Sequence, residues 1–274
     1  MPKRALFAVI VSSLLVIAAL AGCVSASQAD DAASDPDKTL VVGCDVYPPY
    51  VYNDEEGTPV GIDAEIIDEA AGRIGMRAQC VYIDWEKKDE LLASGDIDCV
   101  MSSFTMTGRE GLYKWAGPYM RSRQIVAVSP GSDIKTLADL KDKVVATQST
   151  TKPEAIILDN LNEDMPEVRN VFSFSDRAFL GPALLKGYVD AIAAHETSVL
   201  QYEKDYGVDL RILDEPLMEV GLGVAFDLSD ERGIDSELEG ALDEMRSDGT
   251  MEAIIAKYLP GDASSYLDLE GLDE

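Results

Sequence analysis

Positive charge and histidine are what this chain has little of. It carries 23 Lys+Arg against 51 Asp+Glu in 274 residues, a formal net charge of −28, and one histidine. With no basic face to displace counterions from phosphates, nucleic-acid binding is excluded as the main task. One His and four Cys leave little material for a Cys/His metal cluster, so neither a metal nor a cofactor is expected. There is no Gly-x-Ser-x-Gly elbow, no phosphate-binding loop and no repeat of fixed period, which removes the usual marks of a hydrolase, a nucleotide enzyme or a solenoid. The remainder, 46% hydrophobic and 27% charged, is ordinary for a globular protein of one large or two small domains.

Charge is absent altogether from Ala5 to Gly22, an apolar run preceded by Lys3 and Arg4. A basic start, an apolar stretch and small residues before a cut are the marks of an export signal, although a run of this length could also just span a bilayer as an uncleaved anchor. The run ends in Leu20-Ala21-Gly22-Cys23, which resembles a bacterial lipobox, where the cysteine is lipidated and becomes the first residue. Residues 1–22 are then a signal peptide and 23–37 a flexible acidic tether rich in Ala, Ser and Asp. The expected location is outside the cytoplasmic membrane, periplasmic or lipid-anchored through Cys23 on its outer face.

From Lys38 onward, short β-branched runs alternate with amphipathic helices. Strands are expected at 39–43, 79–83 and 98–102. A helix is expected where Ile62, Ile66, Ile67, Ala70, Ala71 and Ile74 recur, with Asp63, Glu65, Asp68 and Glu69 on its other face, and a second from Lys87 to a stop at Gly95. The pattern restarts with strands at 125–128, 143–147, 168–172, 190–194 and 210–213, a short helix over 132–140, and a helix starting at the capping box Thr151-Lys152-Pro153-Glu154. A second capping box, Ser236 to Glu239, opens the stripe Leu238, Ala241, Leu242 and Met245; Met251, Ile254, Ile255, Tyr258 and Leu259 form another beyond Gly249. Strands separated by helices imply two α/β lobes with mostly parallel sheets. Residues from Gly261 onward read as a loose acidic tail.

Ligands of open parallel sheets bind beyond the carboxyl ends of the strands. The residues there are Asp45, Tyr47 and Tyr50; Trp85; Ser103, Thr105, Thr107 and Arg109; Ser149, Thr150 and Thr151; and His195 with Glu196. Aromatic faces, hydroxyls, one guanidinium and one carboxylate suit a small zwitterion, whose carboxylate calls for Arg and whose ammonium calls for an acid or aromatic faces. Each residue also has a plainer reading. Tyr47-Pro48-Pro49-Tyr50 makes a rigid turn, Arg109 pairs with Glu110 on a solvated face, and Trp85 belongs to a core. Thr150 and Thr151 cap a helix, and His195 is structural.

The order of motifs resembles solute-binding protein family 3, the extracytoplasmic receptors of polar amino acid ABC importers. The likeness is carried by Leu40-Val41-Val42-Gly43, Tyr47-Pro48-Pro49-Tyr50, Gly61-Ile62-Asp63, Ser103-Phe104-Thr105-Met106-Thr107-Gly108-Arg109, Trp115-Ala116-Gly117-Pro118-Tyr119 and Asp248-Gly249-Thr250, and it runs from about Lys38 to Leu259. It implies a type II periplasmic-binding fold: lobe 1 from 38–121 and 220–260, lobe 2 from 122–219, joined by two crossover strands, ahead of an acidic tail at 261–274. It further implies a monomer that passes an amino acid to an ABC permease. Arg109 would grip the α-carboxylate, with Thr151 at its helix N-terminus assisting. Ser103 and Thr105 would hold the carboxylate and ammonium, while Tyr47 and Trp85 would flank the side chain and Asp45 would contact a polar one. The family's usual ammonium-binding Asp is replaced by His195, next to Glu196. Glu196 is expected to take over that role, the alternatives being His195 or a ligand other than a standard α-amino acid. A dehydratase or peptidoglycan-lytic enzyme on the same scaffold, or a sensing ectodomain, are the competing functions. Cys44, Cys80 and Cys99 allow at most one disulfide, and packing is the simpler role.

Overall fold

The computed structural model describes residues 38–272; the expected signal peptide, the tether and Cys23 lie outside the described residues. Among those described, no helix is long and apolar enough to cross a membrane. The first lobe begins with strand β1 (Thr39–Cys44), a hairpin of β2 (Tyr52–Asn53) and β3 (Pro59–Val60), and helix α1 (Ile62–Arg73). Strand β4 (Arg77–Tyr82), helix α2 (Lys88–Ser94) and strand β5 (Cys99–Val100) complete its first half, with β4 and β5 flanking β1 in parallel. Helix α2 stops at Gly95, in the left-handed conformation at φ 78, as its sequence predicts.

The 15-residue strand β6 (Lys114–Val128) then leaves this lobe and enters the other. Only its last four residues were expected as strand, because Gly117 and Pro118 interrupt the β-branched pattern before the chain reaches the second lobe. There follow β7 (Val144–Gln148), α3 (Lys152–Leu158), β8 (Asn170–Phe174), α4 (Leu180–Leu185), β9 (Ala191–His195), α5 (Glu196–Tyr206) and β10 (Arg211–Ile212). Strand β11 (Met218–Phe226) returns antiparallel to β6, pairing Met218 with Gln124 and Phe226 with Lys114. Helices α6 (Ile234–Asp248) and α7 (Thr250–Tyr258) close the first lobe. One sheet thus runs through both lobes in the order β4-β1-β5-β11-β6-β9-β7-β8, with β10 on β6. Among the described residues the lobes share only the β6–β11 ribbon as a sheet connection.

Each face of the sheet is covered, as parallel strands require. In lobe 1, Leu40, Val42, Ile66, Ile67 and Met101 pack against Leu238, Met245 and Ile255 of the last helices, while Trp85, Leu92, Val100 and Phe104 cover the opposite face. In lobe 2 the alternation of β6 decides the sides: Val126 and Val128 join Ile134, Val145 and Ile156, and Ile125 and Ala127 join Leu180, Leu184 and Val199.

Several local expectations are corrected. The stretch 132–140 forms only a 3-10 turn at Leu137–Leu140, closed by a capping box between Thr136 and Asp139. Neither expected capping box forms: Thr151 Oγ1 donates to the Gln148 carbonyl, Glu154 accepts the Thr150 N–H, and α6 starts two residues before Ser236, whose would-be partner Glu239 takes the Gly117 N–H. Asp63, placed on the solvent face of α1, is fully buried. Residues 261–272 are not a loose tail. Ala263 and Leu272 are buried, Tyr266 and Leu267 pack on the first-lobe core, and Arg121 donates to the Asp268 carbonyl. Cys44, Cys80 and Cys99 are all free thiols.

Gly61 precedes α1 at φ 122, and a Cβ there would collide with the carbonyls of Tyr50 and Pro49. Gly57 has φ 84 but open space around it. Gly61→Ala is therefore expected to cost on the order of 2–4 kcal/mol in urea unfolding, and Gly57→Ala only about 1 kcal/mol. Equal costs would show that backbone strain alone, without the collision, sets the requirement for glycine.

Candidate functional site

The carboxyl ends of β1, β5, β7 and β9 face one another across the cleft between the lobes and bound a cavity of about 240 Å³. The first lobe contributes Tyr47, Trp85, Ser103, Thr105 and Arg109; the second contributes Thr151 and His195. These are seven of the ten ligand-binding positions expected from the sequence, brought together from elements far apart in the chain. Asp45, Thr150 and Glu196 do not line the cavity.

Asp63 builds the first-lobe wall from below. Its buried carboxylate accepts the Ser103 N–H at 2.5 Å and the Tyr119 hydroxyl at 2.8 Å. Ser103 sits at φ 53, a strained left-handed conformation for a residue with a side chain, and this hydrogen bond fixes it there. Ser103 Oγ itself has no partner. Thr105 pairs as an isolated bridge with Leu222 of β11, and its hydroxyl accepts from Gln124 Nε2 at 3.2 Å. The turn that follows, closed by the Arg109 N–H on the Met106 carbonyl with Gly108 at φ 72, projects Arg109 into the cavity. Its guanidinium lies 5.0 Å from the Phe104 ring and makes one long contact, 3.5 Å, to the Thr105 carbonyl. Burial lowers its pKa, and the guanidinium stays charged. The alternative in which Arg109 pairs with Glu110 is not what forms: Glu110 accepts the Gly108 N–H.

The second-lobe wall is less as expected. His195 is buried, with Nδ1 2.8 Å from Ser122 Oγ and Nε2 2.9 Å from Gln124 Nε2. With Gln124 Nε2 donating to Nε2, the hydrogen-bond network assigns the ring proton to Nδ1, facing Ser122 Oγ. Burial first, and then the positive charge of Arg177, push the His195 pKa down to about 3, so the ring is neutral at physiological pH. Glu196, expected to meet an ammonium, turns away and binds Arg123 at 2.8 Å. It begins α5, where the strand's alternation ends, and Arg123 on β6, which also pairs with Glu219 at 3.4 Å, takes its carboxylate. Thr150 is exposed, in a left-handed conformation at φ 58. Asp45 crosses the cleft: it bonds Arg177 at 2.9 Å and Gln148 Nε2 at 2.7 Å, and the Arg177 guanidinium stacks 3.1 Å above the Tyr47 ring. Tyr50 OH reaches Thr197 Oγ1 at 2.5 Å, and Ser198 Oγ donates to Tyr47 OH at 3.0 Å. The lobes are thus latched shut by polar side chains that meet across the cleft: Asp45 with Arg177 and Gln148, Tyr50 with Thr197, and Tyr47 with Ser198.

Gln148, Lys152, Arg177 and Ser198 were not anticipated. The strands ending at Gln148 and Phe174 run past their expected ends by one and two residues, so Gln148 falls between the expected strand and Ser149, and Arg177 lies five residues beyond the expected end at Phe172 but only three beyond the observed one. Lys152 was absorbed into a capping box. The usable signal was a polar residue at or shortly after an observed strand end: Gln148 ends β7, Lys152 follows it by four positions, and Arg177 and Ser198 follow β8 and β9 by three.

Burial raises Asp63 from an ordinary carboxylate value near 3.8 to about 7, against the pull of its two hydrogen bonds. The folded state therefore keeps a proton that the unfolded chain has released. Relative to Asp63→Asn, the wild type should lose stability as pH rises from about 4 to about 7, by something on the order of 2–4 kcal/mol, and then level off. Parallel stability curves for the two proteins would show that the carboxylate is ionised throughout.

Residues 40–261 match the profile of the bacterial extracellular solute-binding proteins, family 3. The chain is 29% identical over 276 residues to the L-cystine-binding protein TcyA of Bacillus subtilis (strain 168), covering 96% of this chain and 99% of that one. It is 27% identical over 258 residues to the L-cystine-binding protein TcyJ of Escherichia coli (strain K12), covering 92% and 95%. Among solved structures, an ancestral arginine-binding protein bound to arginine superimposes with a TM-score of 0.73 at 28% identity, covering 81% of this chain and 99% of that one. With the two lobes, the crossover ribbon and the cavity at the strand ends, these likenesses place the fold among the two-lobed type II binding proteins, and the chain belongs to family 3 of the bacterial extracellular solute-binding proteins.

Proposed function

We propose that this chain is a lipid-anchored receptor that captures an amino acid or a close analogue in the cleft and hands it to an ABC importer permease. The observation that carries the reading is Arg109, a part-buried guanidinium with no carboxylate within ion-pair distance among the described residues, projecting into a cavity of small-molecule size. A guanidinium taken out of water without a counter-charge calls for a carboxylate from the ligand, and its planar fork binds one by two parallel hydrogen bonds. Ser103 Oγ, which has no partner, and the Thr105 hydroxyl lie on the same wall to complete the carboxylate's shell. Tyr47 and Trp85 supply apolar flanks. The neutral His195 is tied to Ser122 and Gln124 and positions the wall. Closure is a pre-existing state that the ligand stabilises by touching both lobes at once. The membrane link is Cys23, through the lipobox-like Leu20-Ala21-Gly22-Cys23.

Calorimetric titration of the ligand-stripped protein with the standard L-amino acids and cystine is expected to give tight binding for one or a few of them. Arg109→Ala should weaken that binding at least a hundredfold, about 3 kcal/mol, because the ligand carboxylate loses its charged partner in a buried site. Affinity retained within tenfold would remove Arg109 from the site. In the cell, Cys23→Ser should release the protein from membranes, and continued membrane attachment would favour an uncleaved anchor.

A further inference from the structure

The walls of the cavity do not balance in charge. Lys152, on the first turn of α3, is only 5% exposed, yet it has no carboxylate partner among the described residues; the acid acting on it is Glu110, which is exposed and occupied with the Gly108 N–H. Its Nζ lies 2.5 Å from where a Cβ on Gly108 would sit, so the ammonium of the second lobe rests against the first-lobe turn that carries Arg109. Burial and the neighbouring Arg109 both lower the Lys152 pKa, the response of two like charges enclosed together. The other charges of the cavity cancel or face away. Arg177 is matched by Asp45, His195 is neutral, and Asp205 at the mouth is exposed and accepts the Gln201 amide.

The hydrogen-bonding groups lean the same way. Trp85 Nε1, a donor only, and Ser103 Oγ, a hydroxyl that can donate or accept, have no partner, whereas Gln148 Oε1 is the single unpartnered acceptor-only atom among the buried cavity-lining side chains of the described residues. With Arg109 and Lys152 the site offers four groups that can donate to an oxygen and two, Ser103 Oγ and Gln148 Oε1, that can accept. A zwitterion would add no net charge and leave two enclosed cations half compensated; a ligand with a second acidic group would compensate both.

We propose that the site selects ligands of net negative charge, namely dicarboxylic amino acids or dicarboxylates, which Arg109 from one lobe and Lys152 from the other engage together. The proposal rests on the receptor reading above and narrows its cargo. It also makes charge neutralisation part of closure, since the ammonium meets the Arg109 turn only when the lobes are together.

The test compares L-glutamate with its neutral isostere L-glutamine, alongside L-aspartate, glutarate, L-arginine and L-cystine, on the ligand-stripped full-length chain. Glutamate is expected to bind at least tenfold more tightly than glutamine. Lys152→Met should lower glutamate affinity at least tenfold, change glutamine affinity less than threefold, and so erase the preference; Lys152→Gln serves the same purpose if the methionine variant does not fold. Glutamine binding as tightly as glutamate, or arginine or cystine binding most tightly, would overturn the charge selection while leaving the receptor intact. Absence of binding by every member, neutral and acidic, would overturn the receptor reading itself.

Discussion

The structure depends on the antiparallel pairing of β6 with β11. This ribbon is the only sheet connection between the lobes among the described residues, and every cleft contact is set by how it holds them. Residues of its middle stretch also build the site: Ser122 and Gln124 hold His195, Leu222 pairs with Thr105, and Arg123 draws Glu196 away. A two-strand hinge is stiff against shear along the strands and yields to bending. The lobes can therefore open and close without disturbing their own cores, each of which is sealed on both faces by helices.

Two kinds of interaction then divide the work across the cleft. Tyr50 with Thr197, Tyr47 with Ser198, and Asp45 with Arg177 and Gln148 fix the relative position of the lobes using groups that satisfy one another. Such contacts are worth little individually, because water replaces them when the lobes part. Arg109, Lys152, Ser103 Oγ and Gln148 Oε1 are left unsatisfied by the protein. Enclosing them without a ligand is unfavourable, so an empty cleft is biased toward opening and an occupied one toward closure.

Much of this was legible in the sequence. The first-lobe wall was readable because Ser103, Thr105 and Arg109 follow a strand end at short spacing, and the helices α1, α6 and α7 because their apolar stripes repeat cleanly. What escaped depended on contacts between distant segments. Asp63 looks like a solvent residue beside Glu65 and Asp68, and only the approach of Ser103 and Tyr119 makes it a buried anchor. Glu196 was a reasonable ammonium partner until Arg123, 73 positions away, claimed it. Asp45 sits where a ligand contact would, yet Arg177 from the other lobe takes it. Arg177 was hidden by a strand boundary misplaced by two residues, because alternation does not mark where pairing stops, and Lys152 by its place inside an expected capping box.

The central claim is that the lobes close on a carboxylate ligand around the β6–β11 hinge. Its most direct measurement is the distance distribution between a dye on Glu86 of the first lobe and one on Lys186 of the second, both exposed, followed by single-molecule energy transfer as ligand is added. The account predicts a broad free distribution that collapses to a single short distance at saturation. Saturating ligand with an unchanged distribution would contradict it.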